Sequence, residues 1–135
     1  MFDHFLETQD NILAISDRAE EIICSDTRDL AALGEARWEL ARALREYQLF
    51  KHSRIFDPIA SAHDGRTIKA QCMKAECIRV GEAFRAYILK WSSVSVTDHW
   101  ADYQPAALEA IARIRAHLMR ERAGVAELLQ MRSAA

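Results

Sequence analysis

The sequence predicts an all-α protein, an up-down-up-down four-helix bundle that forms one domain over residues 1–135. Three observations predict this fold. The chain has only four Gly and two Pro in 135 residues, which are few turn residues for a β-sandwich or barrel. Apolar residues recur at helical spacing in four long segments, and short connections between them favour antiparallel neighbours. Half of the residues are apolar, which is enough for a packed core at this length.

Segments A and B form the first half of the predicted bundle. Segment A runs from about residue 4 to residue 24, and segment B from about residue 28 to residue 56. Their apolar residues step by threes, fours and sevens, as on the core faces of helices. These residues are Phe5, Ile12, Ala19 and Ile23 in A, and Leu30, Leu33, Leu40, Leu44 and Tyr47 in B. Asp57-Pro58 should end or bend segment B, because the residue before a proline disfavours the α region.

Segments C and D form the second half. Segment C runs from about residue 66 to residue 91, and segment D runs to about residue 131 with Pro105 in its first turn. Thr97 or Asp98 is expected to cap a short turn before segment D. The seam of C is Met73, Cys77, Val80, Phe84, Tyr87 and Trp91, and the seam of D is Ile111, Ile114, Leu118, Val125 and Leu128.

Composition excludes several classes of protein. A net charge of −2 and an isoelectric point near 6.2 argue against a nucleic-acid binder. No apolar run approaches the roughly 18 residues of a membrane span, and the first residues lack the basic and then apolar pattern of a signal peptide. The odd number of cysteines, Cys24, Cys72 and Cys77, lacks zinc-type pairing and indicates reduced thiols. We expect a cytoplasmic protein.

Charged residues interrupt the seams of segments B and D. On segment D the walk by threes and fours continues past Leu118 to Glu121, and His117 lies one turn before Glu121. His117 and Glu121 are four residues apart, so both side chains can face the same side of the helix. On segment B the same walk continues from Tyr47 to Lys51. A charge at a seam position marks a candidate functional site.

The predicted topology brings these residues to one end of the bundle. The start of A, the end of B, the start of C and the end of D lie at that end. Walking back along the seam of C from Met73 reaches Ala70, and His4 lies in the first turn of A. One level should therefore hold His4, Tyr47, Lys51, Ala70, His117 and Glu121.

Two stretches of the chain resemble the hemerythrin-like (HHE cation-binding) family. They are the segment Leu44–Pro58, with its aromatic residue and proline at the end, and the motif His117-Leu118-Met119-Arg120-Glu121. The resemblance covers nearly the whole chain. It implies a four-helix bundle with a di-iron site near one end, built from a His of the first helix, a His-x-x-x-Glu of the second, one or more His of the third and a His-x-x-x-Glu or similar pair of the fourth. It implies His4, His117 and Glu121 as metal ligands, with a lining of Tyr47, Lys51 and Ala70.

The ligand set is depleted relative to that family. Tyr47 and Lys51 stand where the family has the His and Glu of its second helix, and Ala70 or Gln71 stands where it has a His of the third. Three candidate ligands cannot hold two irons in the family's way. We therefore predict that Lys51 pairs with Glu121 in the volume where relatives hold metal, because burying either charge alone is costly. His117 and Glu121 remain open to three interpretations: a metal-ligand pair, a buried hydrogen-bonded pair, or an exposed pair. Candidate substitute ligands are His52, His63 and Tyr47.

The sequence thus predicts a hemerythrin-like bundle with a depleted metal site, acting as a non-enzymatic regulatory or interaction module without a cofactor. The alternative is a protein that binds a single iron or zinc ion and senses oxygen, iron or redox state. An enzyme has little support, since paired carboxylates beside a poised histidine are not assembled. A histidine phosphotransfer bundle is disfavoured because residues 50–53 lack the His-x-x-Lys-Gly sequence. The expected partners are an unidentified protein or a second copy of the chain in a homodimer, with no nucleic acid and no membrane.

Overall fold

A computed structural model describes residues 1–131 and shows an all-α protein with four long helices, as predicted. The long helices are α1 (Phe2–Cys24), α2 (Leu30–Lys51), α4 (Thr67–Ser93) and α5 (Trp100–Gln130), and a short helix, α3, covers Asp57–Ala60. They correspond in order to segments A, B, C and D. Residues 132–135 of the predicted domain lie outside the described residues. No helix of the described part is both long and apolar enough to cross a bilayer.

Segment B continues beyond its predicted end at residue 56. One π-helical turn, His52–Phe56, links α2 to α3 without a break. The N–H of Asp57 donates to the carbonyl of His52, five residues earlier. Pro58 then falls in the first turn of α3, where a missing N–H costs little. The helical path therefore continues past Pro58, with a changed hydrogen-bond pattern, and ends at Ala60.

Segment D begins five residues earlier than its predicted proline. Helix α5 starts at Trp100, so the expected short turn is already part of it and Pro105 lies inside the helix. Tyr103 explains the early start, because it is fully buried against the rings of Trp91 and Tyr87. Packing of this first turn therefore outweighs the backbone bond that the proline removes.

The two helices of each contacting pair run in opposite directions. Low residue numbers on one helix meet high numbers on its neighbour, which is compatible with the predicted up-down-up-down order. For α1 and α2 these contacts are Phe5–Tyr47 and Arg18–Glu39, for α1 and α5 Asp10–Arg122 and Ile23–Gln104, and for α4 and α5 Glu76–Arg120 and Tyr87–Tyr103.

One side of the bundle is open. The backbones of α2 and α4 stay apart along most of their length, and a groove lies between them. Helix α4 buries only three of its residues, Ala70, Cys77 and Trp91, whereas α5 buries nine. The predicted seam of segment C is therefore covered in part, and Val80, Phe84 and Tyr87 remain half-buried.

Candidate functional site

Polar side chains from all four long helices meet inside the bundle. Helix α1 contributes Gln9, α2 contributes Tyr47 and Lys51, and α5 contributes the i, i+4 pair His117 and Glu121. All five are buried. The thiol of Cys77, on α4, completes the group. We call these six residues the buried polar centre.

The ammonium of Lys51 lies in the middle of this centre. Its Nζ is 2.5 Å from Oε1 and 2.7 Å from Oε2 of Glu121, and it donates to Sγ of Cys77 at 3.0 Å. The ring of Tyr47 lies 4.1 Å from Nζ, within cation–π range. Lys51 is 1% and Glu121 3% exposed. The predicted ion pair between these two residues is confirmed, and the lysine finds acceptors for all three of its donors.

Tyr47 and Gln9 extend the centre towards α1. The hydroxyl of Tyr47 donates to Oε1 of Glu121 and accepts from Nε2 of Gln9, each at 2.8 Å. Gln9 also donates to the carbonyl of Leu118, and Arg122 donates to Oε1 of Gln9. Burial and the charge of Glu121 raise the pKa of Tyr47 well above its ordinary value. Tyr47 is therefore a neutral hydrogen-bond donor at any physiological pH.

His117 adds a second cation beside Glu121. Its Nε2 lies 3.1 Å from Oε1 of Glu121 and its Nδ1 3.7 Å from Oε1 of Glu76. Among residues 1–131, neither ring nitrogen has a well-aligned hydrogen-bond partner, so the attraction is mainly electrostatic. Burial alone would lower the pKa of His117, but its contacts with Cys77 and Glu121 raise it to about 9. The ring is therefore protonated at neutral pH.

Glu121 is the one carboxylate of the buried polar centre. Burial alone would raise its pKa, but His117 and Lys51 outweigh burial and hold the pKa below its usual value. At neutral pH the centre thus holds two cations and one carboxylate. The Lys51 ammonium and the His117 ring both repel a further cation that approaches this carboxylate.

Three side chains of the centre form a set with metal-binding chemistry. One ligand atom each of Cys77, His117 and Glu121 lies within 4.8 Å of the other two, and all three residues are buried. Sulfur, nitrogen and oxygen ligands of this kind suit zinc. The set does not fit a di-iron centre, which needs several histidines and bridging carboxylates. The Lys51 ammonium also contacts two of the three ligands directly.

Two of the residues predicted for this level lie elsewhere. His4 is exposed, and its ring packs edge-on against Phe50 at 4.7 Å. Ala70 is buried in the core, but it lies two helical turns before Cys77, about 10 Å along α4. The structure therefore joins His117 and Glu121 with Cys77 and leaves His4 and Ala70 outside. The other four residues predicted for this level, Tyr47, Lys51, His117 and Glu121, do meet.

Of the three candidate substitute ligands, Tyr47 belongs to the centre, and His52 and His63 do not. His63 is exposed in the loop before α4, with a positive φ of 52°. His52 is half-buried, and burial and the neighbouring Lys51 ammonium lower its pKa. Tyr47 belongs to the centre as a hydrogen-bond donor to Glu121.

The two residues that sequence reasoning missed are Gln9 and Cys77. Gln9 sits on the seam of segment A, between Phe5 and Ile12 in steps of four and three. A polar residue at that position is the same signal that identified Lys51 and Glu121. From the sequence, Cys77 is expected to be a small core residue. Its contact with Lys51 makes it part of the buried polar centre.

The centre is reachable from the open side of the bundle. Lys51, Cys77 and His117 line the inner end of the groove between α2 and α4. The groove has a volume of about 490 Å³, within the range of roughly 300–1,000 Å³ typical of small-molecule sites. Comparison of the chain with models of known protein families, with curated proteins and with solved structures finds no match.

Proposed function

We propose that this chain is a hemerythrin-like bundle in which the ammonium of Lys51 takes the place of the metal, and that it acts in the cytoplasm as a non-enzymatic regulatory or interaction module. One observation carries this proposal. Nζ of Lys51 contacts both oxygens of Glu121 and the sulfur of Cys77, and these two residues belong to the set of Cys77, His117 and Glu121.

A metal ion would have to compete with this tethered cation. Two cations repel strongly at close range in a medium of low dielectric constant. Metal binding also requires Glu121 and Cys77 to turn their lone pairs from the ammonium to the ion. The ammonium of Lys51 would thus supply the positive charge that a bound metal ion supplies in a metal-binding bundle.

The same contacts support binding over catalysis. Glu121 already accepts from Lys51 and Tyr47, and its pKa is held low. A carboxylate that is fully engaged and weakly basic is a poor proton acceptor at neutral pH.

Metal content tests this replacement. The wild-type protein, Lys51→Glu and a control, Lys90→Glu, are expressed with added iron and zinc, and each is measured by elemental analysis. Lys90 is an exposed lysine on α4, so its substitution makes the same charge change outside the centre. We expect no stoichiometric metal in the wild type or in Lys90→Glu, and uptake of close to one ion per chain in Lys51→Glu.

Near-stoichiometric metal in the wild type would overturn the replacement. Metal uptake by Lys90→Glu to the same extent as by Lys51→Glu would show that surface charge, not the buried centre, governs uptake. If Lys51→Glu fails to fold, Lys51→Met keeps the test open, because it removes the competing charge without adding a carboxylate.

A second candidate function is binding of a single zinc or iron ion for oxygen, iron or redox sensing. It is favoured by the mutual proximity of Cys77, His117 and Glu121 within 4.8 Å. For this function, zinc titrated into the reduced wild-type protein should bind at one site and release protons, because bound imidazole must be neutral. Cys77→Ser should weaken that binding and Cys24→Ser, at an exposed thiol, should not.

The partner that we propose is a second copy of the chain. Trp38, on α2, is 69% exposed, and large exposed apolar side chains favour association. Sedimentation velocity should show a dimer for the wild type and a monomer for Trp38→Gln. A wild-type monomer at high concentration would contradict a homodimer.

A further inference from the structure

The groove between α2 and α4 has apolar walls and a cationic lining. Its apolar walls include Leu44 on α2 and Phe84 and Ile88 on α4. Arg45 and Arg85 also line it, and no carboxylate of the described residues does. Neither arginine belongs to an ion pair within residues 1–131.

The two arginines lie at the same level on opposite walls. Lys51 contacts Cys77, and the side chain of Gln48 lies beside Gly81. These contacts set an antiparallel register, in which falling numbers on α2 meet rising numbers on α4. One turn further along each helix, the register places Arg45 across the groove from Arg85.

The other large groove of the bundle differs in that two carboxylates, Glu76 and Glu109, belong to its lining. It lies between α4 and α5, with a volume of about 630 Å³. Two of its arginines pair with these carboxylates, Arg113 with Glu109 and Arg120 with Glu76, each at 2.9 Å, and Arg79 and Lys90 also line it. Size alone would favour this groove for an apolar ligand, but its carboxylates would repel an anion, whereas no carboxylate of the described residues lines the groove between α2 and α4.

We propose that the groove between α2 and α4 binds a single-chain aliphatic carboxylate. The guanidinium groups of Arg45 and Arg85 would take the carboxylate, since arginine matches its two oxygens. The aliphatic chain would lie along the apolar walls. Binding at this level does not require the metal-type ligands of the buried polar centre, so it holds or fails independently of metal replacement by Lys51.

A titration with decanoate tests this assignment on the whole chain. Binding of monomeric decanoate is measured by calorimetry and by amide NMR shifts, beside decyltrimethylammonium, which has the same chain and the opposite charge. We expect one decanoate site, shifts at Gln48 and Gly81, and binding of the ammonium amphiphile at least about tenfold weaker.

Three variants and one control locate the site. Arg45→Ala and Arg85→Ala should each weaken decanoate binding about tenfold by removing a charge-assisted contact. Gly81→Leu should abolish it, because a Cβ on Gly81 already lies 3.4 Å from the Gln48 amide and a larger group fills the groove. Arg42→Ala, one turn before Arg45 and outside the groove lining, should leave binding unchanged.

Two results would overturn the assignment. One is absence of decanoate binding, or equal binding of the two amphiphiles, which would exclude recognition of the carboxylate. The other is an Arg42→Ala variant that loses as much affinity as Arg45→Ala, which would indicate general attraction to a positive surface. Metal content is measured separately, so neither result bears on the proposal that Lys51 takes the place of a metal ion.

Discussion

The two ends of the bundle both bury polar side chains, but they stabilise them differently. At one end, the buried polar centre holds the charged residues Lys51, His117 and Glu121 within the larger apolar cluster. At the other end, Tyr87 and Tyr103 join their hydroxyls at 2.8 Å, surrounded by Trp91 and Trp100. The first arrangement relies on opposite charges and the second on neutral hydroxyls between aromatic rings.

The difference lies in what each end requires of the fold. The charged centre needs side chains from four helices, because a buried ion is tolerated only when its partners are all in place. The tyrosine pair needs only α4 and α5, and Tyr87 is half-buried and can meet water. The charged end therefore specifies how the helices are assembled, whereas the aromatic end mainly supplies apolar burial.

Removal of Glu121 should produce the largest loss of stability. Glu121→Ala leaves the Lys51 ammonium buried without its carboxylate, which costs about 3–5 kcal/mol in such pairs. Urea unfolding measures the change in the free energy of unfolding. The matched control is Glu109→Ala, which breaks the exposed pair with Arg113 and should cost less than about 1 kcal/mol.

The double variant Lys51→Met/Glu121→Leu sharpens this result. Replacing a buried ion pair with apolar residues of similar volume is often neutral, so the double variant should be far more stable than Glu121→Ala. If Glu121→Ala costs no more than Glu109→Ala, the pair is not buried in solution. If the double variant is as unstable as Glu121→Ala, the unpaired ammonium of Lys51 does not explain the cost.

The charged end should also make stability depend on pH through His117. Its pKa rises from 6.5 to about 9 on folding, so the protonated ring favours the folded state. This contribution is fully present below pH 6.5 and is lost as the pH rises through 9. It amounts to at most about 3–4 kcal/mol, since one pKa unit corresponds to about 1.4 kcal/mol.

Urea unfolding at a series of pH values tests this dependence. His117→Asn should flatten the decline between pH 6.5 and 9, whereas His99→Asn, at an exposed histidine, should retain it. An unchanged decline in His117→Asn would mean that another group, not His117, carries the dependence.

The sequence predicted the helices and part of the charged end. Periodicity identified all four long helices, and a charge on a seam identified Lys51 and Glu121, because a continuous apolar stripe makes an exception visible. The sequence pattern did not determine at which turn of each helix the site lies. His4 and Ala70 were placed by topology alone, which leaves the axial register free by two turns. Cys77 could not be distinguished from a core residue, because a thiol suits an apolar interior.

The smallest effect is expected from the neutral end. Tyr103→Phe removes one hydroxyl of the tyrosine pair and should cost about 0.5–1.5 kcal/mol, as for a neutral hydrogen bond. Tyr47→Phe removes a hydroxyl that donates to the charged Glu121 and should cost about 1.5–3 kcal/mol. The two variants delete the same atom from the same residue type, and both tyrosines are almost fully buried. The ratio of their unfolding free-energy changes therefore compares a hydroxyl of the charged centre, which also accepts from Gln9, with a hydroxyl of the neutral pair. Equal costs would contradict the distinction between the two ends, because burial and not charge would then set the energy of both hydroxyls.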